Sequence, residues 1–275
     1  MKLKLFNQLF HLYTFLHFFT LFTMLLAADI GNSLIKFGVF DREILILRFS
    51  IPTVRKYKSQ EIYELTKQNL QHNFTSIIIS SVVTELHETF QTFSENQFNL
   101  QPVFVDNSFD FGLKINYNPP ENLGVDRLIN AFAATEKYGK PCIVCSFGTA
   151  TTIDVISKNS EFCGGIIAPG MNTLSEALYL KTSKLPRVAL EKPASVIGNS
   201  TVSSIQSGIF YGYIGLVEGI LVRMFDELKE KPRVVATGGF AKLIAENCSL
   251  IETVDENLTL EGLQKCVSSP SVSTG

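Results

Sequence analysis

The sequence predicts an α/β fold of two related lobes, each opening with three antiparallel strands. Three observations carry that prediction. First, a phrase occurs twice: an apolar run closes on a polar residue, a glycine follows two positions later, and a second β-rich run begins. One copy is Met24–Ala28, Asp29-Ile30-Gly31-Asn32-Ser33 and Leu34–Phe40; the other is Cys142–Cys145, Ser146-Phe147-Gly148-Thr149-Ala150 and Thr151–Ile156. Second, 275 residues at 45% hydrophobic content suffice for two compact domains with substantial cores. Third, helical and strand periodicities alternate along the chain in the order βββαβαβ, the mark of strands crossed over by helices.

The elements follow in order. After the first glycine turn, 34–40 and 43–49 alternate as strands joined through Asp41-Arg42, completing a three-stranded meander. Ser59 can cap a helix whose stripe is Ile62, Leu65 and Leu70. A buried strand (76–83), a helix from Thr84 with Leu86, Phe90 and Phe93 facing the core, and a short strand (102–105) come next. Residues 107–122, with Asn118-Pro119-Pro120, form a long loop, and such loops inside a compact domain are often functional. A helix over 125–138 ends the first lobe, expected to span 24–138.

The second lobe, expected over 139–267, repeats the opening with strands at 142–146, 151–157 and 162–168, closed by Pro169-Gly170. A helix (171–180), a basic loop (Lys181, Lys184, Arg187, Lys192) and a long helix (201–228) follow. The long helix carries Gly208, Gly212, Gly215 and Gly219, mostly at i, i+4 spacing, which suits close approach of another helix, within the chain or from a second copy. A strand at 233–236, the turn Thr237-Gly238-Gly239 into a helix, a strand at 250–254 and a helix at 258–266 complete it, and the Ser-rich end 268–275 reads as disordered.

Residues 1–23 pair Lys2 and Lys4 with a Phe- and Leu-rich run that resembles a signal or anchor. A spanning helix or cleavage through 25–28 would consume the strand that delivers Asp29, and Asn7, Gln8, His11, Thr14 and His17 interrupt the run. The expectation is a non-native or targeting-like extension, with Met24 as the natural start. A net charge of −2 provides no general attraction for nucleic acid or anionic membrane, so neither is expected as a partner. Among five cysteines, Cys142 and Cys145 form a C-x-x-C, but an offset of three in a strand points them to opposite faces without further thiols or histidines nearby. Buried thiols in a reducing cytoplasm are expected. His72 and His87 fall in polar, surface-like stretches, and no histidine chemistry is indicated.

Two glycine turns suggest one ligand held between two halves, because such turns let backbone N–H groups converge on an anion. A nucleoside triphosphate is the economical choice. In Asp29-Ile30-Gly31-Asn32-Ser33-Leu34-Ile35-Lys36, the carboxylate can hold Mg²⁺ or its waters and Lys36 adds a mobile charge, although Asp-x-Gly-Asn is also an ordinary hairpin turn. The echo at Gly148-Thr149 and the Thr237-Gly238-Gly239 turn strengthen the first reading.

The segments Asp29-Ile-Gly-Asn-Ser, Gly124-Val-Asp-Arg127, Gly148-Thr-Ala150, Gly164-Gly-Ile-Ile-Ala-Pro-Gly170, Ile197-Gly-Asn-Ser-Thr201 and Thr237-Gly-Gly239, in this order, resemble the type III pantothenate kinases of the acetate and sugar kinase/heat-shock chaperone/actin superfamily. The resemblance runs from Met24 to about Gly262. It implies two ribonuclease H-like lobes (duplicated βββαβαβα) with an interlobe nucleotide cleft, and phosphorylation of pantothenate by ATP to 4′-phosphopantothenate in the cytoplasm. Asp126 is then the proton acceptor, where its bland reading is a first-turn helix acid favoured by the macrodipole. Gly124, Val125, Asp126 and Arg127 would contact pantothenate; Arg127 could equally be a surface helix charge. Tyr117 matches a pantothenate-contacting tyrosine, or is a packed loop residue. Thr201 matches a threonine reaching the partner subunit's substrate in a homodimer, or simply caps the long helix. Residues 29–36, Thr149, Gly238 and Gly239 would hold ATP.

One position departs from the pattern. Where the family has an aspartate for a monovalent cation, K⁺ or NH₄⁺, this chain has Ser146. A hydroxyl supplies no charge, so weakened cation dependence, an altered site or a degenerate paralogue with a regulatory role would follow; an active enzyme is expected, since Asp29, Lys36, Asp126 and Arg127 remain.

Overall fold

The computed structural model describes residues 24–268. What the sequence suggests for residues 1–23 and for 269–275 lies outside the described residues, and Ser268, expected in the disordered end, is the last residue of a helix. The described chain forms two compact units, one containing residues up to Asp106 and those from Leu263 on, the other Asn107–Gly262.

In the first unit, β1 (Met24–Ile30), β2 (Leu34–Asp41) and β3 (Ile44–Pro52) form the expected antiparallel meander, and β4 (Ser76–Ser81) and β5 (Val103–Val105) add in parallel on the other side of β1. The sheet order is β3-β2-β1-β4-β5. Central β1 is buried on both faces beyond Met24, as its unbroken apolar run requires, whereas β3 lies at an edge and alternates between exposed and half-buried positions. Helices α1 (Ser59–Thr66) and α2 (His87–Phe98) pack against one another. A core of Leu26, Ala28, Ile30, Ile35, Phe37, Ile62, Phe90 and Phe93 fills this unit.

Three local expectations need correction. Ser59 is the first residue of α1, and Lys58 is the cap; its amide donates to Glu61 Oε2 at 2.7 Å, so the acidic side chain in the first turn closes the helix start. Leu65 is 52% exposed, and Leu70 is buried beyond the helix end, because α1 stops at Thr66. His87 is half-buried, its ring 4.9 Å from that of Phe104.

The second unit repeats the topology. Strands β7 (Cys142–Phe147), β8 (Ala150–Ile156) and β9 (Glu161–Pro169) form an antiparallel meander; β10 (Arg233–Thr237) and β11 (Thr253–Val254) add in parallel beside β7. The order β9-β8-β7-β10-β11 matches that of the first sheet strand for strand, so the doubled meander predicted from the repeated phrase and the ribonuclease H-like plan implied by the resemblance are both the architecture. This sheet carries a sixth strand, β6 (Lys114–Ile115), drawn from the long loop and paired in parallel with β9. The strand expected at 250–254 is shorter, since Ile251 N–H turns back to the Cys248 carbonyl.

Helix α3 (Val125–Tyr138) has the bounds the sequence indicates, and packs on β7 and β8. It therefore belongs to the second unit, whereas the repeated openings placed the lobe boundary after residue 138. Helix α4 (Met171–Lys181) precedes α5 (Thr201–Leu228), also with the predicted bounds. By length and composition α5 could cross a membrane, yet it supplies Ile205, Ile209, Phe210, Tyr213, Val217 and Leu221 to the core of this unit. Short α6 (Ala241–Ala245) follows the glycine turn, and α7 (Leu258–Ser268) ends the described chain. Cys142, Cys145, Cys248 and Cys266 are buried, Cys163 is exposed, and all five are free thiols. Burial pushes Cys142 and Cys266 up to about 12, which suits inert packing residues.

Candidate active site

In the first unit, the β1–β2 turn presents Asn32, Ser33 and Leu34 to solvent between buried Ile30 and Ile35. Asp29, at the end of β1, is buried: its Oδ1 accepts from Ser80 Oγ at 2.9 Å and its Oδ2 lies 3.4 Å from Lys36 Nζ. Lys36 is opposite Asp29 in the hairpin register, and Ser80 is its partner on β4. Gly31 N–H is spent closing the turn on the Leu34 carbonyl, so this amide does not point outward as the cradle reading expected. Thr53 staples the turn through Oγ1 to the Gly31 carbonyl at 2.7 Å and through its amide to the Ser33 carbonyl. Arg55 Nη2 lies 3.4 Å from Asn32 Oδ1 while Nη1 pairs with Glu85 at 2.5 Å. Sequence reasoning missed Ser80 and Arg55. A serine pair closing the apolar run Ile77–Ile79 was the signal for the first; nothing local marked the second.

In the second unit, the glycine amide of the β7–β8 turn is likewise spent inside the turn, but on a carbonyl one residue nearer, with Gly148 N–H on the Ala150 carbonyl. Thr149 is exposed at the tip, and its carbonyl accepts from Thr173 Oγ1 at 2.6 Å. Gly238 lies beside this turn: its φ is +97°, and a Cβ there would stand 2.5 Å from the Phe147 carbonyl oxygen, so only glycine fits. Gly239 follows, exposed, ahead of α6. Ser146 is paired across the sheet with Thr152 on one side and Thr237 on the other, a row of hydroxyls without charge. Asp154 pairs with Val144, further along β8.

Gly124 caps α3 in an extended conformation, followed by Val125, Asp126 and Arg127. Asp126 is half-buried, and its Oδ1 folds back so closely that a Cβ on Gly124 would stand 2.5 Å from it. Arg127 is no surface charge. It is 5% exposed, and its Nε donates to both oxygens of Asp154 at 3.0 and 3.2 Å while Nη2 makes a further bond to Oδ1. The Tyr117 and Phe162 rings flank the guanidinium at 5.4 and 5.5 Å. Burial pulls the Arg127 pKa down, but the hydrogen bond and charge of Asp154, aided by Tyr117, hold it above its ordinary value. Burial pushes the Asp154 carboxyl up against the opposing pull of Arg127. Strand β6 is what delivers Tyr117: Asn116 N–H donates to the Phe162 carbonyl at 3.0 Å just beyond the two-residue pairing. Tyr117 and the start of α3 are thus brought together. Asp154 and Phe162 are additions; a single aspartate within the apolar run Ile153–Ile156 was the available signal.

Thr201 is exposed at the first position of α5, but it is not the cap. Ser200 holds that position, its Oγ accepting from Ser203 N–H at 3.1 Å, because Ser200 takes the extended conformation a cap needs. Thr201 lines an open groove of about 1210 Å³ with Leu174, Lys181, Ser204 and Ile205, and neither Tyr117 nor Asp126 lines it.

These features can be set beside known proteins. The family model for type III pantothenate kinase matches residues 25–223. Type III pantothenate kinases of Citrifermentans bemidjiense and Geotalea daltonii are each 45% identical over 248 residues, covering 88% of this chain and 97% and 96% of theirs. Among solved structures, a protein assigned to the Baf family of transcriptional activators from Campylobacter jejuni is similar with a TM-score of 0.56 at 23% identity, over 88% of this chain and 97% of the other. A ROK family glucokinase from Streptomyces griseus, in complex with glucose and AMPPNP, is similar with a TM-score of 0.52 at 13% identity, over 89% and 98%. At these identities the structural likeness concerns the fold alone. The matching segments, the doubled sheet topology and the extent of the relatives' identity lead to one statement: the chain belongs to the type III pantothenate kinase family.

Proposed function

We propose that this protein transfers the γ-phosphoryl group of ATP to the hydroxyl of pantothenate, giving 4′-phosphopantothenate and ADP, the first step of coenzyme A synthesis. The 45% identity to type III pantothenate kinases across 88% of the chain carries this reading, and it disfavours a degenerate paralogue. Phosphoryl transfer leaves the protein three tasks: to position two substrates, to neutralise charge and to accept one proton. Asp126 is the base. Its half-buried carboxylate in the first turn of α3 is open enough to meet a hydroxyl, and the adjacent helix start fixes its direction. Tyr117, Gly124, Val125 and Arg127 bind the acceptor, with the guanidinium already packed against two rings. The turn from Asp29 to Lys36, with Thr149, Gly238 and Gly239, binds ATP, Lys36 meeting phosphate charge.

Asp29 suits Mg²⁺: a carboxylate with hard oxygen donors, steadied by Ser80, matches an ion that takes one or two carboxylates and completes its shell with water and phosphate. Bound there, Mg²⁺ would neutralise phosphate charge. Ser146 stands at the position of the family's monovalent-cation aspartate, so K⁺ or NH₄⁺ would be held only by hydroxyl and carbonyl oxygens. The working form is a homodimer in which Thr201 reaches the partner's acceptor site, and five free thiols suit a reducing cytoplasm.

The deciding experiment couples ADP release to pantothenate addition. Wild type turns over, and Asp126→Asn, which keeps shape but loses the base, lowers kcat by about 10²–10⁴-fold. Wild-type protein that leaves pantothenate unmodified at every K⁺ and NH₄⁺ concentration tried sinks the proposal.

A further inference from the structure

A buried ion pair is poor insurance for stability, since the cost of dehydrating two charges roughly cancels their attraction and apolar replacements often do as well. The Arg127–Asp154 pair therefore calls for another account. Asp154 is 1% exposed in the middle of β8, and β9 makes space for it: a Cβ on Gly165, its register partner, would stand 2.6 Å from Asp154 Oδ1 and 2.1 Å from the Ile153 carbonyl oxygen. The carboxylate grips one edge of the guanidinium through both Nε and Nη2, a fork that fixes the plane as well as the position of the group. That plane is what the Tyr117 and Phe162 rings meet, and the two rings stand edge to face at 6.3 Å. Three segments distant in sequence thus converge on one group: the start of α3 with Asp126, the loop with Tyr117, and the β8–β9 pair.

We propose that Asp154 is a positioning residue of the acceptor site, which fixes Arg127 and through it the stance of Tyr117 and the first turn of α3, without itself touching substrate. The assignment rests on the functional reading above. It makes acceptor recognition depend on a carboxylate behind the site, and predicts that its loss is felt by pantothenate and not by ATP.

The experiment measures both KM values, kcat and the melting temperature for Asp154→Asn, which keeps the shape and removes the charge. The expected result is a rise in KM for pantothenate of about tenfold or more, with KM for ATP unchanged within about twofold. A purely structural aspartate would lower the melting temperature and leave the KM values of the folded fraction alone. A second arm repeats the substitution in a Tyr117→Ala background, where one of the two elements it positions is gone; there it raises KM for pantothenate by a smaller factor than in the wild-type background, the non-additivity of coupled residues. Should Asp154→Asn not fold, Phe162→Leu strips one ring from Arg127 while both charges stay paired, and carries the same expectation. Unchanged KM for pantothenate, an equal rise in both KM values, or full additivity with Tyr117→Ala each overturns the assignment alone. A wild type that does not phosphorylate pantothenate overturns the functional reading and this assignment with it.

Discussion

At the scale of single residues, the proposal for the monovalent cation turns on Ser146. Its neighbours across the sheet are Thr152 and Thr237, so a cation near it would find hydroxyls on three adjacent strands and no carboxylate from that row. Asp154, the acidic residue on β8, is committed to Arg127. One charge at about 4 Å contributes about 1 kcal/mol even at the dielectric of water and more in a half-buried site. Restoring it with Ser146→Asp should lower the K⁺ concentration for half-maximal activity by about tenfold, the equivalent of about 1.4 kcal/mol. The check is a kinase assay titrated with K⁺ at constant ionic strength. Coincident titrations of wild type and variant would mean that position 146 has no part in cation binding.

Among elements, α5 divides two roles that the sequence had assigned to one residue. Ser200 closes the helix start, and Thr201 stands exposed beside it. Ser200→Ala should therefore cost about 1 kcal/mol of stability with little change in substrate binding, while Thr201→Ala should leave the melting temperature alone and raise KM for pantothenate. Thermal melts and KM values on both variants decide it, and a Thr201→Ala protein with the wild-type KM removes this threonine from the site. The bounds of α3 and α5 were legible because each carries its own signals, a glycine or serine before the first turn and an apolar period through the body. The doubled β-meander was legible for the same local reason. Strand β6 was not, since two residues have no periodicity and exist as a strand only through pairing with Glu161 and Phe162. Leu65 misled because α1 stops one residue later, so its position in the pattern overstated what packs against it. As candidates, Asp29, Lys36 and Asp126 announced themselves by motif. Ser80 and Asp154 showed only as polar residues in apolar runs, and Phe162 not at all, because their partners lie far along the chain and only the fold brings them together.

At the scale of the whole molecule, the far side of α5 bears on assembly. Gly208, Gly212 and Gly215 lie on its exposed face, opposite the buried run of Ile209, Tyr213 and Val217. Among the described residues, nothing beyond the adjacent residues and the helix's own backbone comes within 4 Å of where a Cβ would stand at any of the three, so close packing against other parts of the chain does not explain them. The groove at the start of α5 is flanked by apolar residues left in water, with Ile197 85% exposed. A standard interface buries about 1,200–2,000 Å², and a flat helix face continuing into an apolar groove is the kind of surface that can supply part of it. Gly212→Leu tests this. With no described atom of its own chain in the way, the added side chain should leave circular dichroism unchanged and the melting temperature as high as wild type at low protein concentration. A helix seated against the glycine face in a second copy would be forced off, so sedimentation should shift from dimer to monomer. Because Thr201 is proposed to reach the partner's acceptor site, the same variant should raise KM for pantothenate while KM for ATP holds. A variant that remains dimeric with wild-type kinetics would place the interface elsewhere and leave Thr201 without a route to the partner.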